Sequence, residues 1–437
     1  MSSTLVSLIT VNYNGKDHLA PFMASVEALD FPREQLEVII VDNGSQDGSV
    51  EFLRAAHPWV KVIQNDANMG FAKANNQGAK DAKGQYLALL NNDMRLEPDW
   101  LKQMLAAIDK APEDVVCLGS RILNWDGTLI DFIGGTLSFN GMGFQTSFRA
   151  PVDSEAGRQY PDELLFACGG AMLINRQVYL EVGGFDEDYF AYFEDVDLGW
   201  RLWVLGYRVA FCPEAVAYHR HNGTSSQFGW HKKLVLFERN ALYSLVKNYD
   251  DQSLAAFLPA SLLLAFKRMA TRSGLSREEY NFTVTQSPPA PSLPVGRTKG
   301  AVLVKKALKV LRHEGPRSCV KKIGVKLAEA LLRRWRDLPS QPVPEGFHAI
   351  RPDAYATVVG VEDLLDHLPH LMEKRQQIQA KRRRSDDEIL PLFKTPFQPT
   401  ETQGAYPEAF FTTIQSLGVE AFYERRAAHA RAQVVNR

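Results

Sequence analysis

Cysteine is scarce, with four residues (Cys117, Cys168, Cys212 and Cys319) lying far apart in a chain of 437 and forming no CxxC or Cys/His pattern. This excludes a disulfide framework and a thiolate metal centre, and a reducing compartment is expected. Long apolar runs are also missing. The longest, Ser253 to Phe266, contains Pro259 and falls short of the roughly 20 residues that cross a bilayer, so a buried or interfacial helix is expected there. The opening MSSTLVSLITVNYNG has no basic region and no small-residue cleavage site. It reads as a first strand, without a signal for secretion, and a cytoplasmic protein is expected. No internal repeat is found. Net charge is nearly absent at -1, but it is unevenly spread: from Thr271 onward there are 27 Lys+Arg against 18 Asp+Glu, a surplus of +9, leaving -10 before it. An acidic first part and a basic second part imply units with different tasks.

What is present is a regular alternation. Leu5–Asn12, Glu37–Val41, Val60–Gln64 and Tyr86–Leu90 are compact apolar runs that read as strands, each closed by turn residues or followed by a helical pattern. Phe71–Ala82 and Asp99–Asp109 carry helical spacing, the latter behind Pro98. Continuous apolar strands separated by helices predict an α/β fold with a mostly parallel sheet covered on both faces. Further on, Ile122–Phe148 reads as strands or a long loop, Glu194–Leu205 as an aromatic-rich helix, Tyr207–Phe211 and Ala215–Tyr218 as two strands flanking Pro213, and Trp230–Lys247 as a helix. The division expected is 1–250 for the α/β domain, 251–300 for an apolar helix and the Pro-rich linker around Ser287–Pro294, and 301–437 for a basic, mainly helical region.

In an open α/β sheet, ligands bind beyond the carboxyl ends of the strands. Asn12, Asp42 and Asp93 fall at such ends. Each has a plain alternative, since Asp42-Asn43-Gly44 is turn chemistry and Asp93 can cap the next segment. Jointly they mark one edge of the sheet. Glu194-Asp195-Val196-Asp197 is the most informative cluster. Acids at a helix start meet its positive dipole end, which accounts for one or two of them. Tyr189, Phe190, Tyr192, Phe193, Trp200 and Trp203 surround the cluster, a setting that raises carboxylate pKa values and offers faces for sugar stacking. Arg201, one turn after Asp197, pairs with it or reaches donor phosphates.

Four ordered blocks, VSLITVNYNG (6–15), VIIVDNGSQDGS (38–49), NDANMGFAKANNQGAKDAKGQYLALLNNDMRLEPDWL (65–101) and CGGAMLINRQVYLEVGGFDEDYFAYFEDVDLGWRLWVLGYRVAFCPEAVAYHRHNGTS (168–225), resemble the family 2 glycosyltransferases of the GT-A fold, the rhamnosyltransferase-like branch above all. The resemblance covers about residues 4–248. It implies an inverting, metal-dependent transfer of a sugar, rhamnose first, from a dTDP- or UDP-linked donor to a glycan or lipid-linked acceptor in bacterial surface or cell-wall polysaccharide synthesis. It places Asp42 against the ring N–H of a pyrimidine base, Thr10 and Asn12 along base and ribose, and Asn68, Gly70, Asn76 and Asn92 near the diphosphate. Asp93 is the last acid of the metal triplet, here Asn91-Asn92-Asp93 with one anionic ligand fewer, and holds Mg²⁺ or Mn²⁺ with His219, His221 being the runner-up. Asp195 is the general base, with Glu194 beside it. Gly169, Gly170, Asp197, Trp200 and Arg201 are expected on the acceptor side. The other class considered is a non-catalytic nucleotide-sugar- or glycan-binding module; the presence of both Asp93 and Asp195 favours an enzyme. Residues 297–336 hold 13 Lys+Arg against Glu314 and Glu329. They read as a solvated basic face, a peripheral contact with the inner face of an anionic membrane, or a patch docked on the acidic domain. No nucleic-acid module accompanies the charge.

Overall fold

A computed structural model describes residues 6–220, 229–274, 350–402 and 404–435. The first half builds one mixed sheet. Strands β1 (Val6–Asn12), β2 (Leu36–Asp42), β3 (Lys61–Gln64) and β4 (Tyr86–Asn91) alternate with helices α1 (Lys16–Glu27), α2 (Ser49–Ala56) and α3 (Phe71–Asp81). The apolar runs that these strands carry are buried on both faces, from Leu8 and Ile9 to Ile39, Ile40, Leu89 and Leu90. Next come β5 (Met94–Leu96), α4 (Trp100–Lys110), β6 (Val115–Asn124), β7 (Ile130–Phe132), β8 (Gly135–Leu137), β9 (Gly143–Gln145), α5 (Glu155–Arg158), β10 (Glu163–Leu164), β11 (Ala171–Asn175), α6 (Arg176–Glu181), α7 (Glu194–Val204) and β12 (Arg208–His219).

The sheet order is β10-β12-β6-β11-β4-β1-β2-β3, with β5 on β12 and β7 on β6, while β8 and β9 pair separately. β3, β2, β1 and β4 are mutually parallel, as the continuous apolar pattern implies. The other half departs from that pattern because β11 runs antiparallel between β4 and β6. The two strands expected around Pro213 are one strand, β12, with a register jump on β6 between Cys212 and Val216. Proline has no N–H for the ladder, so residues 213–215 bulge and the strand resumes.

Helices α8 (Trp230–Asn248), α9 (Asp251–Ser273), α10 (Pro352–Ala380), α11 (Asp386–Ile389), α12 (Tyr406–Ser416) and α13 (Val419–Val435) complete the described chain. They share one apolar core with the sheet, running without a break from Val6 through Trp200 and Tyr249 to Tyr423. α9 is longer than its apolar stretch suggested and continues through Pro259; by length and composition alone it suffices to cross a membrane. Leu254, Phe257, Ala260 and Leu264 face the core, Arg268 pairs with buried Glu238, and Leu263 and Phe266 point outward. The run Lys381–Arg384 is docked on the α/β domain: the backbone N–H of Arg383 donates to the carbonyl of Val204, and Arg384 reaches the Tyr207 carbonyl and Asp114. His221, the Pro-rich linker and the basic stretch 297–336 lie outside the described residues.

Candidate functional site

The ends of β1 and β2 meet in register at Asn12 and Asp42. Asn12 Nδ2 donates to Asp42 Oδ2 at 2.9 Å and to Ser45 Oγ at 3.1 Å, and its Oδ1 accepts from Asn92 Nδ2 at 2.8 Å. Asp42 Oδ1 accepts the Ser45 N–H at 2.8 Å. One side-chain network thus spans the ends of three neighbouring strands. Thr10, Asn12 and Asp42 have no exposed surface, and Thr10 Oγ1 has no hydrogen-bond partner. Asn68 Oδ1 accepts from the Gly70 N–H at 3.0 Å and from Asn43, closing the loop before α3. Gly70 has φ +86, and a Cβ there would stand 2.7 Å from the Phe190 ring and carbonyl oxygen, so glycine is required on both counts. Asn76 turns inward: it binds the Tyr179 hydroxyl and both backbone groups of Phe185. The expectation of a donor contact from Asn76 is corrected accordingly, since its amide has its partners in the 179–187 turn and only shapes what lies above.

Asp93 lies in the turn between β4 and β5, and β12 returns to place His219 opposite Met94. His219 Nε2 lies 3.3 Å from Asp93 Oδ2, and Nδ1 lies 2.6 Å from Asp131 Oδ2. Burial lowers the imidazole pKa, but the hydrogen bonds and charges of Asp131 and Asp93 outweigh it and raise it to about 10. Burial pushes the Asp93 carboxyl up, but His219 and the nearby His18 hold it below the usual range. A carboxylate that anchors one ring nitrogen and directs the other at a second carboxylate is the support found behind metal-binding histidines. The pair Asp93 and His219 fits a divalent cation of the Mg²⁺ or Mn²⁺ type, with oxygen and imidazole donors. Among the described residues no third His, Cys, Asp or Glu joins them, so a cation there depends on diphosphate and water oxygens for its other ligands.

Asp195 sits in the first turn of α7. Its Oδ2 accepts the Gly169 N–H at 2.9 Å and its Oδ1 the Val196 N–H at 2.8 Å. Gly170 follows with its carbonyl on the Asn91 N–H at 2.9 Å, and a Cβ on it would stand 3.0 Å from Asn91 Nδ2. The glycine pair therefore brings Asp195 to the end of β4, two residues before Asp93. Burial raises the Asp195 pKa against these backbone hydrogen bonds, while burial and then the Asp195 charge raise that of Glu194 well above its usual range. Asp195 keeps part of its surface open; Glu194 is buried with Oε2 unpartnered. Of the two acids, Asp195 is the less buried.

Three acceptor-side expectations are corrected, while the pairing expected between Arg201 and Asp197 is present. Asp197 is fully buried, paired with Arg201 at 2.7 Å and with Lys247 at 2.9 Å. Arg201 also donates to the carbonyls of Val182 and Gly184, both at 2.7 Å. Trp200 is packed edge-on against Tyr249 and Phe393. α7 is buried all round, with every residue except Asp195 covered, so these side chains have only protein partners. The sequence reading missed Asp131, Asn240, Lys247 and His18, which sit in no motif.

The family model for glycosyl transferase family 2 matches residues 7–183. The chain is a glycosyltransferase whose residues 7–183 match family 2. Among curated relatives, this glycosyltransferase is 29% identical over 242 residues to the N-acetylglucosaminyl-diphospho-decaprenol L-rhamnosyltransferase of Mycobacterium tuberculosis, covering 50% of this chain and 78% of the relative. It is 32% identical over 130 residues to the putative teichuronic acid biosynthesis glycosyltransferase TuaG of Bacillus subtilis, covering 29% and 51%. Among solved structures, GalNAc-T7 with UDP, GalNAc and Mn²⁺ overlays at a TM-score of 0.47 with 19% identity, over 60% of this chain and 52% of that one. That overlay is too loose to bear on residue roles. The strand order and the family match place the glycosyltransferase in the GT-A fold, with a helical C-terminal region.

Proposed function

We propose that this glycosyltransferase moves a hexose, L-rhamnose first, from a dTDP- or UDP-linked donor to a sugar on a glycan or polyprenyl-diphosphate acceptor, with inversion and with a divalent metal. The observation that carries the reading is the single sheet edge holding a His219–Asp93 pair anchored by Asp131 and, through Gly169 and Gly170, the half-buried Asp195. The name of the mycobacterial relative supports both rhamnose and a lipid-linked acceptor.

Asp195 takes the proton of the acceptor hydroxyl as that oxygen attacks the anomeric carbon. The bond to the diphosphate breaks on the opposite side, its electron pair leaves with the nucleoside diphosphate, and the proton stays on the carboxylate. A single displacement inverts the anomeric centre. The raised pKa of Asp195 makes it a stronger base than a solvated carboxylate, and the two backbone N–H groups fix its direction. Asp93 and His219 would hold the metal, which offsets charge on the departing diphosphate when bound. The expected contact of Asp42 with the base is corrected: with no exposed surface, Asp42 would act from beneath the donor pocket, fixing Asn12 and Ser45 at the strand ends. The setting is the cytoplasmic side of the membrane, where surface polysaccharide precursors are built; the basic stretch 297–336 is suited to an anionic bilayer.

The test is turnover of dTDP-rhamnose and of UDP-hexoses with a synthetic polyprenyl-diphosphate sugar, with Mn²⁺ or with chelator, the product anomer being read by NMR. Metal-dependent transfer with inversion supports the reading. Retention, or full turnover under chelator, would refute the mechanism proposed.

A further inference from the structure

The segment between Asp186 and Phe193 is a bent arch whose backbone is unfavourable for its sequence. Phe190, Tyr192 and Phe193 adopt φ of 62, 66 and 68 degrees, a left-handed region that aromatic residues enter only where their surroundings hold them. The arch touches both halves of the site. The Phe190 carbonyl accepts the Phe71 N–H at 2.6 Å, beside the donor loop, and Phe193 accepts the Asp197 N–H at 2.9 Å as the cap of the helix that carries Asp195.

Two sets of groups hold it. From α8, Asn240 Nδ2 donates to the carbonyls of Tyr189, Ala191 and Tyr192 at 3.1, 3.0 and 2.6 Å, and Arg239 to those of Asp188 and Tyr189 at 3.1 Å. Lys247, fully buried, joins Asp186 at 2.5 Å to Asp197 at 2.9 Å. The second set comes from α10. Lys374 Nζ lies 2.5 Å from Asp186 Oδ1 and 2.7 Å from Asp188 Oδ2, and His370 lies 3.2 Å from Asp188. Burial raises the Asp186 carboxyl, but the two ammonium groups hold it far below the usual carboxylate range. An ionic chain thus runs from α10 through Asp186, Lys247 and Asp197 to Arg201, which grips the carbonyls of Val182 and Gly184. α10 lies outside the stretch matched by the family model, so this brace belongs to the chain's own C-terminal region.

We propose that Lys374 is a positioning residue for sugar transfer, clamping Asp186 and Asp188 from the C-terminal helix and so holding the 186–193 arch in the form that sets Asp195. The inference rests on the reading of Asp195 as base. Lys374 touches neither substrate nor Asp195; it acts through the arch. Loss of the clamp leaves Asp186 with Lys247 alone and lets the arch relax from its left-handed backbone. The base then loses its direction, while the strand-end network at Asn12 and Asp42 stays intact.

The experiment uses the full chain as wild type, Lys374→Met, Lys374→Arg and Asp188→Asn. With Lys374→Met, kcat falls at least about tenfold while acceptor KM and the Mn²⁺-UDP dissociation constant stay within about twofold, since misplacement of a reacting group is read in kcat. Lys374→Arg restores most of the rate, and hydrogen exchange of the 186–193 amides speeds up in Lys374→Met alone of the two. Wild-type kcat and unchanged protection in Lys374→Met overturn the proposal, as does a loss of UDP affinity that matches the loss of rate. Should Lys374→Met fail to fold, Asp188→Asn, which breaks only the outer half of the clamp, takes its place with the same two outcomes. Should the wild type turn over no sugar, the functional reading fails by itself. Amide exchange then still decides the clamp: faster exchange in the variant supports it and equal exchange refutes it.

Discussion

With His219 as the proposed metal ligand, metal binding becomes a proton-coupled event. In the metal-free protein the His219 imidazole lies between Asp131 and Asp93, and hydrogen bonds and charge raise its pKa to about 10 despite burial. A metal ion binds neutral imidazole, so loading must expel the proton. At pH 7.5 that displacement costs roughly 3.5 kcal/mol of apparent affinity, at about 1.4 kcal/mol per pH unit below the pKa. Apparent Mn²⁺ affinity in the presence of UDP should therefore rise about tenfold per pH unit between pH 7.5 and 8.5, above the titration of the nucleotide itself. The assay is calorimetric titration in two buffers of different ionisation enthalpy, which counts protons released. About one proton per metal is expected from the wild type, and none from His219→Asn, which lacks the titrating group. Stability of the metal-free protein moves the opposite way. A histidine raised above its unfolded value stabilises fully below the unfolded pKa of about 6.5, and that contribution is lost as pH rises through about 10. Affinity that does not change over this pH range, with no proton released, would refute the assignment of His219 as a ligand.

Three further outcomes are expected. Asp195→Asn should lower kcat by about 10² to 10⁴, the range for losing a positioned base, with nucleotide affinity kept in calorimetry; in the wild type, the acid limb of kcat against pH should lie above the ordinary Asp range, because burial raises the Asp195 pKa and the base works only when deprotonated. Gly70→Ala should cost at least about 2 kcal/mol in urea unfolding, since it combines a strained φ with a clash against the Phe190 backbone. Asp197→Ala should lower stability by about 3 to 5 kcal/mol, the usual cost of removing one partner from a buried ionic cluster, because Lys247 and Arg201 are left behind; a variant that loses acceptor KM with stability unchanged would restore Asp197 to the acceptor side.

The sequence by itself determined the parallel half of the sheet, the strand ends at Asn12, Asp42 and Asp93, and the helix that opens at Glu194. These features are local: an apolar run, a turn and a cap are all written within about ten neighbouring residues. It also supplied His219 and Asp195, but only through ordered blocks of family resemblance, because a lone histidine or an acid at a helix start has a plain structural meaning. What each polar side chain faces was decided by tertiary structure. Asn76, Asp197 and Arg201 stand in motif positions and turn inward, since the face a helix buries depends on what packs against it. Asp131 has no motif and becomes the anchor of His219 across 88 positions of sequence. Lys374 meets Asp186 across 188 positions, a pairing that no local pattern encodes. Only the packing of α10 on α8 brings those charges together, because a buried carboxylate needs a cation from whichever element is adjacent in space, however distant it is along the chain.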